Sequence, residues 1–246
     1  MYDAIIERYT ANSDFHNFGF WNENTHDQKQ ASENLMEELL ALLPNKDGTI
    51  LDVACGKGAS TRHLTRYYAP SNVTGINISE KQLQTCRVNA PECRFLMMDA
   101  CDLDFDDESF DNIICVEAAF HFNTRQDFMS EAWRVLKPGG TFVLSDILFI
   151  NKTFEDTMRS MTGQNYVADI EEYRSQFLAA GFDNVEVIDA TQQCWKEFWQ
   201  HYHTFMCRSL LAGEMSRPAF NRIMTGFYYL SAGIRHYVLV SARKPE

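Results

Sequence analysis

The stretch ILDVACGKGASTRHL, residues 50–64, decides the fold. It begins as an apolar run, passes Gly56 and Gly58, and ends in an amphipathic pattern. A strand, a tight loop and a helix in this order form the nucleotide-binding turn of parallel α/β sheets. Thr61 stands where a dinucleotide fingerprint has its third glycine, and the Lys-Ser/Thr pair of a phosphate loop is missing. The turn therefore predicts a nucleoside ligand and does not require a pyrophosphate.

Asp52 comes just before this turn and narrows the ligand class. A carboxylate at this position would repel a phosphate and attract a cation such as an ammonium group. Glycine has no Cβ, so Gly56 and Gly58 allow a ligand to come close to the backbone. A nucleoside that carries positive charge fits both features. S-adenosylmethionine, with its adenosine, sulfonium and amino-acid tail, is such a ligand.

Outward from the turn, seven β-type runs alternate with amphipathic stretches. Strands that alternate with helical patterns are typical of a parallel sheet with helices on both faces. The sequence predicts an α/β protein with a Rossmann-like, seven-stranded, mostly parallel sheet and an N-terminal and inserted helical lid. We expect KPGG (137–140) to form a turn. The predicted strands are TILDVAC, NVTGINI, CRFLMMDA, FDNIICVEA, TFVLSDILFI, NVEVIDA and HYVLVSARKP, and the predicted helices include STRHLTRYYA, SEKQLQTCRVNA with Ser79 as its cap, TRQDFMSEAWRVL and DIEEYRSQFLAAGF.

Polar side chains recur where the predicted strands end. Ligands of such sheets bind beyond the carboxyl ends of the strands, so these side chains are candidates for one site. We interpret residues 1–246 as a single domain with a cofactor-binding core at 45–150. Residues 1–44 and 151–233 would supply the lid and the acceptor-binding elements. The polar residues at or near the strand ends are Asp52, Asn77, Asp99, Glu117 and Asp146.

Composition restricts the partners. The formal net charge is −12, which argues against binding to nucleic acid or to anionic membranes. No apolar run reaches the length of a membrane span, and the N-terminal residues do not resemble a signal peptide. The seven cysteines are scattered without a CxxC pair, which favours free thiols in a reducing cytoplasm. The sequence shows no metal motif and leaves monomer and homodimer open.

Four segments in order resemble class I S-adenosylmethionine-dependent methyltransferases, particularly those that act on small molecules of natural-product pathways. They are ILDVACGKG, VTGINISEKQL, FLMMDACDLDFDDESFDNIICVEAAFHF and AWRVLKPGGTFVLSDIL, and together they cover residues 50–148. The resemblance implies transfer of a methyl group from S-adenosylmethionine. A Rossmann-like protein that binds another nucleotide is the alternative for the core.

The resemblance also assigns the cofactor contacts. Asp52 and the Gly56–Gly58 turn would receive the methionine moiety, and Asp99 would accept a hydrogen bond from the adenine amino group. Asn77 departs from the family, which usually has an acid there to bind both ribose hydroxyls; an amide can accept one bond and donate another. The full predicted set is Asp52, Ala54, Gly56, Gly58, Asn77, Ile78, Gln82, Asp99, Ala100 and Glu117.

The acceptor side follows the fourth strand, in CVEAAFHFNTR. His121 could remove a proton at neutral pH, and Asp146 could orient its ring. In the alternatives, His121 is an aromatic-like wall residue and Asp146 caps a turn. Glu117 is a third catalytic candidate, or it binds the methionine end or a substrate cation.

Aromatic segments at both ends of the chain would enclose the acceptor. FHNFGFW (15–21) could exclude water, or it could anchor a tail. WKEFWQHYHTFM (195–206) has helical spacing that is more often a packing face than a pocket. The predicted substrate-binding residues are Phe20, Trp21, His121, Trp195, Trp199 and Tyr202.

The sequence thus predicts methylation of a hydroxyl, an amine or a carbon of an apolar or aromatic small molecule, such as a secondary metabolite. One alternative is a regulator that binds S-adenosylmethionine without catalysis. The other is a methyltransferase that acts on a macromolecule. Neither a basic stripe nor an Asn/Asp-Pro-Pro-Tyr signature is present, which speaks against a nucleic-acid substrate.

Overall fold

A computed structural model describes residues 2–159 and 165–246. Its centre is a seven-stranded sheet in the order β3-β2-β1-β4-β5-β7-β6. Strands β1 to β5 are parallel, whereas β7 is antiparallel to both β5 and β6. The prediction of a mostly parallel sheet is confirmed. The strands are β1 Ile50–Val53, β2 Val73–Asn77, β3 Arg94–Met97, β4 Phe110–Val116, β5 Leu136–Phe149, β6 Asp183–Asp189 and β7 Ile234–Arg243.

Helices connect these strands, and short polar side chains cap several of them. Ser79 accepts a hydrogen bond from the Gln82 amide, and Asp27, Thr124, Asp169 and Ser216 cap other helices in the same way. The helices are α1 Tyr2–Tyr9, α2 Gln28–Ala41, α3 Ala59–Leu64, α4 Glu80–Asn89, α5 Arg125–Val135, α6 Lys152–Arg159, α7 Ile170–Ala179, α8 Glu197–Leu211 and α9 Arg217–Gly233, with a π-helical turn Thr191–Lys196 before α8.

Two hydrophobic cores lie on opposite faces of the sheet. Successive strand residues point to opposite faces, so Ile113 and Ile114 belong to different cores. Helices α2, α8 and α9 cover one face, and α5 and α7 cover the other. None of the helices in the described ranges is both long and apolar enough to traverse a lipid bilayer.

One local prediction differs from the structure. KPGG is not a separate turn, because Lys137–Gly140 lie inside β5, where the pairing with β4 shifts register. Gly139 has φ +73°, so the two glycines form an irregularity in the strand instead of ending it. Helix α6 follows β5, and residues 160–164 lie outside the described residues.

Candidate active site

The glycine turn leaves β1 in a left-handed backbone conformation. Ala54, Gly56 and Gly58 have φ values of 57°, 55° and 83°. A Cβ on Gly58 would lie 3.0 Å from the Cys86 Cα, so only glycine fits there. A Cβ on Gly56 would meet no described protein atom within 4 Å. The turn is therefore packed tightly on the Gly58 side and open on the Gly56 side, where a ligand can approach the backbone.

Asp52 stabilises the start of the helix that follows this turn. Its buried carboxylate accepts hydrogen bonds from the Ser60 hydroxyl at 2.7 Å and the Thr61 hydroxyl at 2.6 Å. Burial raises the pKa of Asp52 to about 6, against the effect of these two bonds. Thr61, which replaces the third glycine of a dinucleotide turn, thus fixes the first turn of α3.

Asn77 joins the turn to α4. Its Nδ2 donates to the Gly56 carbonyl at 3.1 Å and to the Gln82 Oε1 at 2.8 Å, while its Oδ1 accepts from the Ser79 amide at 3.0 Å. A carboxylate could not donate to the Gly56 carbonyl. This bond gives a physical reason for an amide at a position where the family usually has an acid.

Asp99 and Ile78 stand at the ends of neighbouring strands. The Met98 amide donates to the Asn77 carbonyl at 3.1 Å, which holds these two strand ends together. Asp99 is exposed and accepts a bond from the Cys101 amide, whereas Ala100 is buried. The Ile78 side chain is 75% exposed. An exposed apolar surface near a carboxylate suits an adenine ring with its amino group.

The N-terminal segment lies over the glycine turn. Asp14, Phe15, His16 and Asn17 line a small cavity of about 50 Å³ together with residues 54–57 of the turn. The Asn89 side chain donates to the Asp14 carboxylate at 2.9 Å and to the Lys57 carbonyl at 2.8 Å. This contact fastens the segment to the loop that it covers.

Glu117 connects the sheet to the same N-terminal segment. Its backbone has φ 51°, and its amide donates to Ser145. Its Oε2 accepts from the Phe18 amide at 2.9 Å and from the Tyr237 hydroxyl at 2.7 Å. Burial raises the pKa of Glu117 to about 8, so the group is mostly protonated at neutral pH.

A cavity of about 570 Å³ opens beside Glu117. Its apolar wall comes from Phe15 and Phe18 of the N-terminal segment and from Phe198 and Phe227 of α8 and α9. The cavity has a volume suited to a small-molecule ligand. Tyr202, one of the predicted substrate-binding residues, is part of its wall.

The other predicted aromatic residues take different places. Trp195 is buried, with its ring centroid 4.9 Å from that of Phe18, so it packs behind the cavity wall. The Trp199 ring stacks on the Phe227 ring, with 6.1 Å between the two ring centroids. Trp21 stacks on His201 at 4.1 Å, in the wall of a second cavity of about 630 Å³. Phe20 packs against the core on the α2 side of the sheet.

His121 lies on the loop that follows β4, and Asp146 lies on the neighbouring strand β5. His121 ends the short 3₁₀ turn Ala119–His121, and its side chain is exposed. Asp146 is fully buried: its Oδ2 accepts from Arg125 Nε at 2.6 Å and from the Tyr173 hydroxyl at 2.8 Å, and its Oδ1 accepts from the Phe120 amide at 3.0 Å. These bonds favour the alternative in which Asp146 caps a turn, because they hold the backbone just before His121.

Arg125 ties this loop to α6. Its buried guanidinium also bonds the Glu155 carboxylate at 2.8 Å and the Ile147 carbonyl at 2.8 Å. The sequence analysis missed Arg125 and Glu155, because their pairing depends on the placement of α6. Within the described residues, no group of three or more His, Cys, Asp or Glu is arranged to hold a metal ion.

The comparison with known proteins begins with the core of the chain. Residues 51–144, which run from β1 into β5, match a family model described as a methyltransferase domain. The chain is a methyltransferase. Its methyl donor is S-adenosylmethionine, and the resemblance inferred from the sequence is confirmed.

Relatives match this methyltransferase far beyond the core. The 27-O-demethylrifamycin SV methyltransferase of Amycolatopsis mediterranei is 27% identical, covering 93% of this chain and 89% of that protein. The erythromycin 3''-O-methyltransferase of Saccharopolyspora erythraea is 27% identical, covering 80% of this chain and 73% of that protein. The structure of a putative sarcosine dimethylglycine methyltransferase from Galdieria sulphuraria is 18% identical with a TM-score of 0.75, covering 99% and 98% of the two chains.

The residues of the methyltransferase fit its donor. The open side of Gly56 and the exposed Ile78 and Asp99 offer backbone, apolar and carboxylate contacts at one edge of the sheet. S-adenosylmethionine supplies an electrophilic methyl group when it is bound. Ser60 and Thr61 are the residues of this half that sequence reasoning missed. Both hydroxyl residues lie in the first turn of the helix that follows the glycines, close to the end of the Asp52 strand. This position is the signal that could have identified them.

Proposed function

We propose that this methyltransferase transfers the methyl group to a hydroxyl of an apolar small molecule, such as a secondary metabolite. The single observation that carries the proposal is the cavity of about 570 Å³ between Glu117 and the aromatic rings of α8 and α9. The two relatives act, by their names, on oxygen atoms of rifamycin and erythromycin compounds, which supports a hydroxyl over an amine or a carbon. The acidic net charge of −12 supports an uncharged or cationic acceptor over nucleic acid.

Two residues of the chain could take the proton from such a hydroxyl. His121 is not among the residues that line the cavity, but its imidazole can accept a proton, and Asp146 and Arg125 position its turn. Glu117 lines the cavity directly, but its pKa of about 8 keeps it protonated at neutral pH. A protonated carboxyl can orient the hydroxyl and accepts its proton only in alkaline solution. We therefore propose His121 as the base and Glu117 as the residue that binds the hydroxyl.

The remaining parts of the chain would close the site. Residues 1–44 and 151–233 are proposed to bind the acceptor and to exclude water, and residues 14–18 would cover both ligands. All seven cysteines are free thiols in the structure, which supports action in a reducing cytoplasm.

Transfer of a radiolabelled methyl group to 27-O-demethylrifamycin SV and to a panel of other hydroxylated metabolites tests the proposal. On any active hydroxyl acceptor, we expect His121→Ala to lower turnover by about 10²–10⁴-fold and to leave the affinity for S-adenosylhomocysteine unchanged. A rate that His121→Ala leaves unchanged and Glu117→Gln abolishes would transfer the role of base to Glu117.

A further inference from the structure

Three polar groups in the wall of the acceptor cavity have no hydrogen-bond partner. They are the Tyr9 hydroxyl, the Asn17 Oδ1 and the Gln28 Oε1, and all three atoms are buried. A buried polar atom without a partner costs roughly 1–3 kcal/mol, so three of them around one cavity require an explanation.

The orientation of the Gln28 amide is fixed by its other end. Its Nε2 donates to the backbone carbonyl of Asn17 at 2.9 Å and to the Ser32 hydroxyl at 3.3 Å. The Asn17 carbonyl requires a donor, so the amide cannot be reversed without loss of this bond. The Gln28 Oε1 is therefore the end that remains available, although the residue is only 4% exposed.

Tyr9 is held by rings and not by its hydroxyl. Its ring contacts Tyr202 at 4.9 Å, Phe205 at 5.1 Å and Phe198 at 6.1 Å. Tyr9 and Gln28 also line the second cavity, of about 630 Å³. They form the wall between the two cavities, whereas Glu117 stands at the end of the sheet.

We infer that Tyr9, Asn17 and Gln28 form a polar subsite that binds a second hydroxyl of the acceptor, separate from the hydroxyl that is methylated. A hydroxyl can donate to an amide oxygen of Asn17 or Gln28 and accept from the Tyr9 hydroxyl. Small rotations of these side chains bring the atoms to the cavity, and the new bonds offset the cost of burial. The inference rests on the proposed function for the assignment of the cavity to the acceptor. It specifies an acceptor with an apolar body and at least two hydroxyl groups.

The test measures binding and not methyl transfer. The probes are 2-naphthol, 2-methoxynaphthalene and 2-naphthylmethylammonium, titrated by calorimetry into the full chain saturated with S-adenosylhomocysteine. We expect naphthol to bind about three- to tenfold more tightly than its methyl ether, which cannot donate a hydrogen bond. In a Tyr9→Phe/Asn17→Leu double variant the ratio should fall at least twofold, since the subsite loses its hydroxyl and one of its two amide oxygens.

A second measurement separates recognition from folding. Tyr9→Phe removes a hydroxyl that has no partner, so the melting temperature of the ligand-free protein should stay the same or rise. Tyr68→Phe is the matched control, because the Tyr68 hydroxyl accepts a bond from Asn112 at 3.2 Å; that variant should melt earlier.

Several outcomes would overturn the inference. They are equal binding of naphthol and its ether, no binding of either, a ratio that persists in the double variant, and an early melt of Tyr9→Phe. Tightest binding of the ammonium probe would show a cation site instead. If the naphthol preference holds while every acceptor fails in the transfer assay, the proposed function is wrong and the subsite stands.

Discussion

The cofactor half and the acceptor half of this site are held together in different ways. At the glycine turn, the side-chain bonds of Asp52 and Asn77 are shorter in range: Asp52 bonds Ser60 and Thr61, and Asn77 bonds Gln82 and, 21 residues away, Gly56. On the acceptor side, the bonds join distant segments. The Glu117 carboxylate meets Phe18, 99 residues away, and Tyr237, 120 residues away.

The two halves also differ in how completely their polar atoms are paired. The turn side chains described above all find partners, whereas Tyr9, Asn17 and Gln28 each leave one buried atom unpaired. A locally bonded turn forms with its own segment and suits a ligand that never changes. A wall assembled from distant segments can exchange residues without disturbing that turn. This contrast is expected where one donor serves many acceptors.

The largest expected effect comes from removal of the buried cation on the acceptor side. Arg125→Met removes the cation that pairs with the buried Asp146 and Glu155 and should lower the free energy of unfolding by about 3–5 kcal/mol. Denaturant unfolding measures this loss. Arg87→Met is the control, because its pair with Glu80 is half-exposed and should contribute no more than about 1 kcal/mol. Similar losses in the two variants would remove the distinction between buried and surface pairs.

A smaller effect is expected for the adenine contact. Asp99→Ala should weaken S-adenosylhomocysteine binding by about 1–3 kcal/mol, because one hydrogen-bond acceptor is lost. Since Asp99 is exposed, stability should change by less than about 0.5 kcal/mol. Calorimetry on this variant and on Asp104→Ala, a nearby exposed acid, checks the assignment. It is contradicted if both variants bind as the wild type does.

Two glycines with the same backbone strain sharpen the comparison further. Gly56 and Gly213 have φ 55° and 72°, and a Cβ on either would meet no described atom within 4 Å. Alanine at either position should cost about 1–2 kcal/mol of stability from the left-handed backbone. Only Gly56→Ala should also weaken cofactor binding, because its methyl group would enter the ligand space. Equal cofactor affinities would show that the open side of Gly56 is not that space.

The acceptor side should also show a pH dependence of stability, which accumulates gradually over several pH units. The pKa of Glu117 is about 8 in the folded protein and near 4.5 without its environment, so the folded state holds the proton more tightly. Stability should therefore fall as the pH rises between these values, by at most about 1.4 kcal/mol per pH unit. Tyr237, Cys194 and Asp146 face this carboxyl.

The Glu117→Gln variant removes the ionisable carboxyl and so isolates its contribution to the pH dependence of stability. The buried Asp52, with a pKa of about 6, has a slope of the same sign, so the window from pH 6.5 to 8 is the informative one. Plotted against pH, the free energies of unfolding of wild type and variant should have the same slope above pH 8 but different slopes below it. Equal slopes across the whole window would mean that Glu117 is already ionised at neutral pH.

The same contrast explains what could be predicted from the sequence. The strand, turn and helix at residues 50–64 could be predicted because their determinants are local: an apolar run, two glycines and a helical pattern. The seven strands followed for the same reason. Arg125 could not be assigned a partner, since nothing near it in the chain indicates Glu155 or Asp146. Tyr9 and Gln28 were missed because a buried atom without a partner is visible only after packing is known.

The N-terminal segment carries a kinetic consequence. Phe15, His16 and Asn17 line the cavity at the glycine turn and the acceptor cavity at the same time. If the two cavities hold the acceptor and the donor as proposed, one displacement of this segment would expose both ligands. The two products would then leave during the same opening. The residence time of the closed segment would set an upper limit on turnover, however fast the methyl group is transferred.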